Sequence, residues 1–148
     1  MNKYDDVTAP AAGKVIPLSA VNDPMFAREM LGAGFAVIPE DDVIVSPVAG
    51  TLRVVFPSRH VFGVETDHGI KVLVHIGIDT VKAGGAGFTQ LAETGTRLRR
   101  GDPVIRMDRT VLADYDLTVA CTFPGSSLLE FHETEENGLL MKVSRKAE

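Results

Sequence analysis

The chain has 148 residues, 45% of them apolar and 24% charged, with a net charge of −5. That length suits one domain with a proper core, so residues 1–148 are expected to fold as a single unit. An acidic chain without a Lys/Arg run argues against nucleic-acid binding, no apolar run approaches the roughly 20 residues of a membrane span, and the single cysteine, Cys121, excludes an internal disulfide framework.

Residues 1–6 are short and polar rather than a secretory leader, and the expected location is the reducing cytoplasm. Residues 7–16 read as a strand, a Pro/Gly turn and a second strand, and the pattern returns at residues 45–53, with Pro10 matching Pro47 and Gly13 matching Gly50 at the same separation. Two related β-units packed as a sandwich or barrel would produce this repeat, and so would a chance likeness of turn sequences. Residues 22–32 are the clearest helical piece: Asp23 can cap, Pro24 suits the first helical position and Gly32 suits termination. Phe26 and Met30 then share a face, with Met25 beside them, to roof the core or to meet a partner. Residues 35–39 and 43–46 are short strands around the acidic turn Glu40-Asp41-Asp42, and residues 51–56 are another strand leading through Pro57.

The stretch from Ser58 to Val81 organises the rest. Two runs rich in β-branched residues flank Asp67-His68-Gly69, which predicts an antiparallel hairpin with His60 entering it and His75 leaving it. A two-residue loop, His68-Gly69, sets His75 opposite Phe62 and leaves His60 as a diagonal neighbour, roughly 7–8 Å away between α-carbons. A three-residue loop would instead send the histidines to opposite faces. The first register groups Phe62, Val64 and Leu73 around the imidazoles. A strand histidine is most often structural, but Gly77 removes bulk beside His75, Asp79 follows four residues on, and the Ser58 hydroxyl could fix a tautomer of His60. A neutral, oriented imidazole is a nucleophile near pH 7.

The glycine-rich residues 81–88 fit neither a P-loop nor a dinucleotide fingerprint, and close backbone packing explains them better. Residues 94–107 read as strand, Gly-Asp turn, strand, and residues 108–114 as a short helix. Strands at 117–123 and 128–132 flank the turn Pro124-Gly125-Ser126-Ser127, and an acidic turn ending at Asn137-Gly138 leads to a last strand at 139–144. Cys121 lies in an apolar strand as a packing residue, and His68 and His132 are expected to be solvated bystanders. Many short strands with frequent Gly/Pro turns indicate an all-β fold.

Several of these motifs occur together, in order, in a known family. Pro47-Val48-Ala49-Gly50-Thr51, Arg59-His60-Val61-Phe62-Gly63, Val74-His75-Ile76-Gly77-Ile78-Asp79-Thr80-Val81 and Gly85-Ala86-Gly87-Phe88 resemble the glucose-type IIA component of the bacterial phosphoenolpyruvate-dependent sugar phosphotransferase system. The resemblance runs from about residue 7 to residue 108, beyond which the chain drifts from the usual ending. It implies an antiparallel β-sandwich with a duplicated hybrid motif and one or two very short helices. It also implies a phosphocarrier: His75 would take a phosphoryl group on Nε2 from the histidine-containing phosphocarrier protein and pass it to the cysteine of a IIB domain. His60 would stabilise the group, Ser58 would orient His60, and Asp79 would set the local electrostatics. An apolar docking face would comprise Phe56, Phe62 and Leu73 with Met25, Phe26, Met30, Leu31, Val81 and Phe88. Regulated transporters or kinases would be further partners. No obligatory cofactor is implied, although a transient zinc completed by a partner's carboxylate is compatible with the histidine pair. Three departures bear on partner choice: Ala86 replaces the family's glutamate, Gly84 stands where lysine is often found, and Val61 where alanine is common.

Three rival readings compete with this one. A biotinyl carrier would need Lys142 of Met141-Lys142-Val143 on a hairpin tip rather than inside a predicted strand. A metallohydrolase built on His60, His75 and Asp79 would lack converging ligands, since zinc usually takes three or four. A regulatory binding module that accepts no phosphate would keep the apolar face without needing both histidines.

Overall fold

Runs of valine, isoleucine and phenylalanine broken by Gly/Pro turns form thirteen short strands in the computed structural model, which describes residues 3–134 and 138–146. They are β1 (Asp5–Val7), β2 (Gly13–Pro17), β3 (Ala33–Pro39), β4 (Val43–Val45), β5 (Gly50–Val55), β6 (Val61–Glu65) and β7 (Lys71–Ile76). After these come β8 (Phe88–Gln90), β9 (Arg97–Leu98), β10 (Pro103–Met107), β11 (Val119–Phe123), β12 (Leu129–Glu133) and β13 (Met141–Arg145). The helical elements described are short: α1 (Pro24–Ala27) and the 3₁₀ turns Leu18–Ala20, Thr80–Ala83 and Ser126–Leu128. Asn137 and its two preceding glutamates, which the sequence places in an acidic turn, lie outside the described residues.

The strands form a seven-stranded sheet ordered β2-β3-β11-β7-β6-β5-β9 and two three-stranded sheets, β4-β10-β8 and β1-β13-β12. Every pairing among the described residues is antiparallel. The large sheet buries apolar side chains on both faces. Its inner face, with Phe62, Val74 and Cys121, packs against Ile44, Ile105 and Met107 of the β4-β10-β8 sheet to make the main core. On its outer face a smaller cluster forms where Leu18, Val21 and Phe26 cover Ala36 and Ala120. Burial of Cys121 pushes its thiol up, which suits packing rather than reactivity.

The weak repeat in the sequence is a structural two-fold. Reading the sheet from β2 to β5 or back from β5 to β2 gives the same pattern, with the axis between β11 and β7. The pair Lys14 and Ile38 corresponds to Thr51 and Glu65, and the pair Gly34 and Thr122 corresponds to Val61 and His75. The same operation exchanges the pair Ala120 and His75 with the pair Thr122 and Leu73. It also exchanges two loop bonds, Thr8 N–H to Pro47 O at 2.9 Å and Val45 N–H to Pro10 O at 2.7 Å. Chance likeness of turns would not generate matched hydrogen bonds.

Three local expectations are corrected. The helix begins as the sequence predicts, with Asp23 accepting from the Met25 amide at 2.9 Å, but it ends at Ala27 and Glu29 turns left-handed at φ 55°. Phe26 and Met30 therefore share no face: Phe26 is 8% exposed and Met30 68%. Residues 108–114 make turns rather than a helix: the Asp108 carboxylate caps the amides of Thr110 and Val111 and the Leu112 amide bonds Asp108 O at 3.1 Å, but the single turn is not continued into a helix.

The third correction concerns hairpin register. Thr66 faces Ile70 across the three-residue loop Asp67-His68-Gly69, with Gly69 at φ 81° and its amide bonded to Thr66 O at 2.9 Å. This is the three-residue hairpin that wants glycine in the left-handed position. Arg97 clamps its tip, donating to the two Asp67 oxygens at 2.7 and 2.5 Å. His75 consequently lies opposite Val61, not Phe62.

Candidate functional site

Because side chains alternate along a strand, the true register decides who surrounds His75. Leu73 shares its outer face, while Phe62 and Val64 point into the main core and are completely or almost completely buried. Phe62 is thus no part of an exposed collar. Phe88, also expected on the docking face, is a buried core residue too. What surrounds His75 comes from elsewhere in the chain. Phe26 from α1 meets its ring edge-on with centroids 5.0 Å apart, Ala120 pairs with it across β11, and Thr122 Oγ1 lies 3.4 Å from its Nε2.

The shifted register should separate the two histidines, but His60 lies outside the regular part of β6. Residues 56–60 form a tight connection in which the Arg59 amide bonds Phe56 O at 2.7 Å and Arg59 itself is left-handed at φ 60°. Strand alternation therefore does not extend to His60. Its carbonyl accepts from Ile76 N–H at 2.7 Å, fastening the connection to β7 one residue past His75. Its ring stands edge-on to Phe56, centroids 5.9 Å apart, and Ser58 Oγ is hydrogen-bonded to its Nδ1. The Ser58–His60 pairing expected from the sequence is present, by way of a turn and not by strand geometry.

Electrostatics follow from these surroundings. Burial pushes the His75 pKa down to about 4, and the charge of nearby His60 adds to the effect. Burial also holds His60 below the ordinary imidazole range. Both rings are therefore neutral at pH 7, each with one nitrogen lone pair and one N–H. A half-buried, neutral imidazole with its reactive edge reachable can act as a nucleophile.

Beyond His75 the chain is shaped by Gly77. At φ 82°, a side chain there would come within 2.4 Å of Thr80 Cγ2 and 3.0 Å of Asp116 O. Gly77 is thus required by packing of the following segment, rather than by clearance of the imidazole. Thr80, wholly buried, donates its hydroxyl back to Ile76 O, and Asp79 sits left-handed at φ 58° on the surface. Among the described residues no hydrogen bond ties the Asp79 carboxylate to either imidazole.

Of the remaining face residues, Met25, Met30, Phe56 and Val81 are exposed, while Leu31 and Leu73 are half-buried. Thr122 was not among the residues singled out from the sequence. No sequence signal marks it: the repeat relates Pro10 to Pro47 and Gly13 to Gly50, and only the structural two-fold relates Thr122 to His75. Among the described residues no group of three or more His, Cys, Asp or Glu side chains gathers as a metal-ligand set. Among them, too, no helix is long and apolar enough to cross a membrane.

Comparison with known proteins places this arrangement. A region of the glucose-specific EIICBA component of the phosphotransferase system from Staphylococcus saprophyticus is 46% identical over 103 residues, which span 70% of this chain but 15% of that protein. The glucose permease IIA from Mycoplasma capricolum shares the fold with a TM-score of 0.81 at 32% identity, covering 95% of this chain and 96% of that one. The likeness therefore continues past Asp108, through the segment whose sequence drifts. The family model for the phosphoenolpyruvate-dependent sugar phosphotransferase system, EIIA 1, matches residues 5–127. This chain belongs to that family of EIIA phosphotransferase components.

Proposed function

We propose that His75 is the phosphoryl acceptor of a cytoplasmic sugar phosphotransferase pathway, loaded by the histidine-containing phosphocarrier protein and unloaded by the cysteine of a IIB domain. The observation that carries this reading is the setting of His75: an imidazole half-buried edge-on against Phe26, with the Ser58-held imidazole of His60 close enough to act on it.

In the loading step the Nε2 lone pair of His75 forms an N–P bond as the bond from phosphorus to the donor nitrogen breaks. The electron pair of the broken bond returns to the donor ring, which takes up a proton, and His75 gives up its Nδ1 proton. In the unloading step the IIB thiolate forms an S–P bond while the Nε2–P electron pair returns to His75, which is protonated again. Such transfers depend on in-line positioning and on exclusion of water. The apolar surroundings from Phe26, Phe56 and Leu73 serve both needs.

His60 supplies the stabilising donor. With Ser58 Oγ–H donating to Nδ1, the proton of His60 sits on Nε2, where it can reach a phosphoryl oxygen. Asp79 contributes charge at the rim. Met25, Met30, Phe56 and Val81, with half-buried Leu31 and Leu73, offer the docking face, and Phe26 supports it from beneath. Phosphorylation brings about −1.5 to −2 charges into this depression, enough to alter which partner docks best, including any regulated transporter or kinase.

The test is incubation with phosphoenolpyruvate, enzyme I and the histidine phosphocarrier, followed by intact mass measurement. One acid-labile phosphoryl group, absent from His75→Ala, is expected. His60→Ala should still be loaded but should pass the group on slowly or not at all. No mass gain, beside a control EIIA domain that is loaded in the same tube, overturns the carrier reading in favour of a regulatory binding module that uses the same exposed face.

A further inference from the structure

The acceptor nitrogen has a neighbour that no part of the carrier reading uses. Thr122 is wholly buried on β11, with its Oγ1 3.4 Å from His75 Nε2. Register explains the approach: Ala120 pairs with His75, and Thr122, two residues on, leaves the same face of the sheet. Both groups stand on paired central strands, not on loops, so the sheet fixes their relation. The two-fold reinforces this, because Thr122 occupies in its half of the sheet the place that His75 occupies in the other.

Resting on the reading of His75 as acceptor, we propose that Thr122 is a positioning residue that holds His75 in the reactive tautomer. Its hydroxyl donates to Nε2 in the resting protein, which keeps the proton of the neutral ring on Nδ1, and it gives up that bond as phosphorus approaches, freeing the Nε2 lone pair to attack. The direction of the bond follows from satisfaction of the hydroxyl. Among the described residues, His75 Nε2 is the partner seen for Thr122 Oγ1. If Oγ1 instead accepted from an Nε2–H, the hydroxyl proton would be buried with no acceptor, which is the more costly arrangement. The contact is long for a hydrogen bond. That length leaves the hydroxyl free to turn from Nε2 to a phosphoryl oxygen as the N–P bond forms.

The decisive experiment reads the tautomer and the rate separately. Imidazole ¹⁵N NMR of the unphosphorylated protein should show His75 with Nε2 unprotonated. Thr122→Val, equal in shape but without a hydroxyl, should raise the Nε2–H population and slow loading about tenfold, the effect of one hydrogen bond. Thr122→Ser should restore both, which a merely structural role for the methyl group would not predict. A wild-type spectrum with the proton on Nε2 overturns the inference without requiring any variant to fold. An unchanged tautomer and rate in Thr122→Val overturn it too. Failure of the wild-type protein to be loaded at all is a different result: it removes the carrier reading, while the NMR readout still decides whether Thr122 sets the ring.

Discussion

The two halves of the seven-stranded sheet share one framework and differ mainly in a connection. Between β2 and β3 the chain runs through residues 18–32, and between β5 and β6 it needs only residues 56–60. The long connection lays Leu18, Val21 and Phe26 over Ala36 and Ala120, closing the outer face of its half. The short one closes little: Phe56 stays 40% exposed, and Ser58 and His60 stand at the edge of the uncovered surface. Near the axis the two meet, since Phe26 from the long connection packs on His75 of the other half. A duplicated scaffold thus provides one covered half and one reactive half, and the cover of the first supplies the wall of the second.

The sharpest way to break this comparison is to make the equivalent positions alike. His75→Thr places threonine on both sides of the axis. Loading should fall by at least roughly a thousandfold, as expected when a nucleophile is removed. The fold should survive at pH 7, because Thr122 already shows the scaffold accommodating threonine there. Loading assayed by intact mass, beside thermal melting, separates the outcomes. Unfolding of His75→Thr would show that the imidazole is a structural part of its half.

Next in size come the two glycines that define the repeat. A Cβ on Gly13 would sit 2.1 Å from Ile38 O, and one on Gly50 would sit 2.3 Å from Glu65 O. Both contacts are with backbone and neither can be relieved by a rotamer change. Gly13→Ala and Gly50→Ala should each destabilise by about 2–4 kcal/mol in denaturant titrations. A large loss in one and none in the other would mean that the halves share a pattern but not a structural constraint.

A third effect belongs to the reactive half alone. The His75 pKa is depressed to about 4 in the folded chain, against 6.5 for an unburied imidazole. Above that ordinary value the ring is neutral folded or unfolded and contributes no pH dependence. Between about 6.5 and about 4 the unfolded chain binds the extra proton, so stability falls with falling pH, by up to about 3 kcal/mol. Urea unfolding across that window should show a slope in the wild-type protein that is reduced in His75→Thr. An equal slope in both would place the titration elsewhere.

How much of this could be read beforehand depends on what sets each feature. The all-β class, the capped start of α1 and the pairing of Ser58 with His60 follow from local chemistry, and each was legible. Hairpin register was not, because Asp67-His68-Gly69 supports a two- or a three-residue loop, and only the backbone shows Gly69 left-handed with Thr66 facing Ile70. One residue of slip moved Phe62 from the rim to the core. Phe88 was misplaced for a related reason: proximity in sequence to a motif does not say which face a strand buries. Phe26 and Thr122 reach His75 across long sequence separations, so local patterns could not bring them together. The internal repeat does not hold that information for Thr122 either, because the loops between the strands differ in length and only the strand pairing reveals the equivalence with His75.

The smallest expected effect tests the short connection itself. Ser58 fastens His60 through a side-chain bond in a half-buried place. Ser58→Ala should cost about 0.5–1.5 kcal/mol of stability, the net worth of one such bond. Its functional effect should fall on one step. Loading of His75 should be nearly unchanged, because the Ser58 hydroxyl is bonded to His60 and not to that ring among the described residues. Transfer onward to a IIB cysteine should slow by about three- to tenfold, since His60 would lose the bond that places its N–H toward the phosphoryl group. Threonine at this position should restore the rate, its hydroxyl making the same bond. Single-turnover measurements of the two steps distinguish the cases. Equal slowing of both would mean that Ser58 shapes the whole depression, and slowing of loading alone would transfer the role assigned to His60 onto the incoming phosphoryl group.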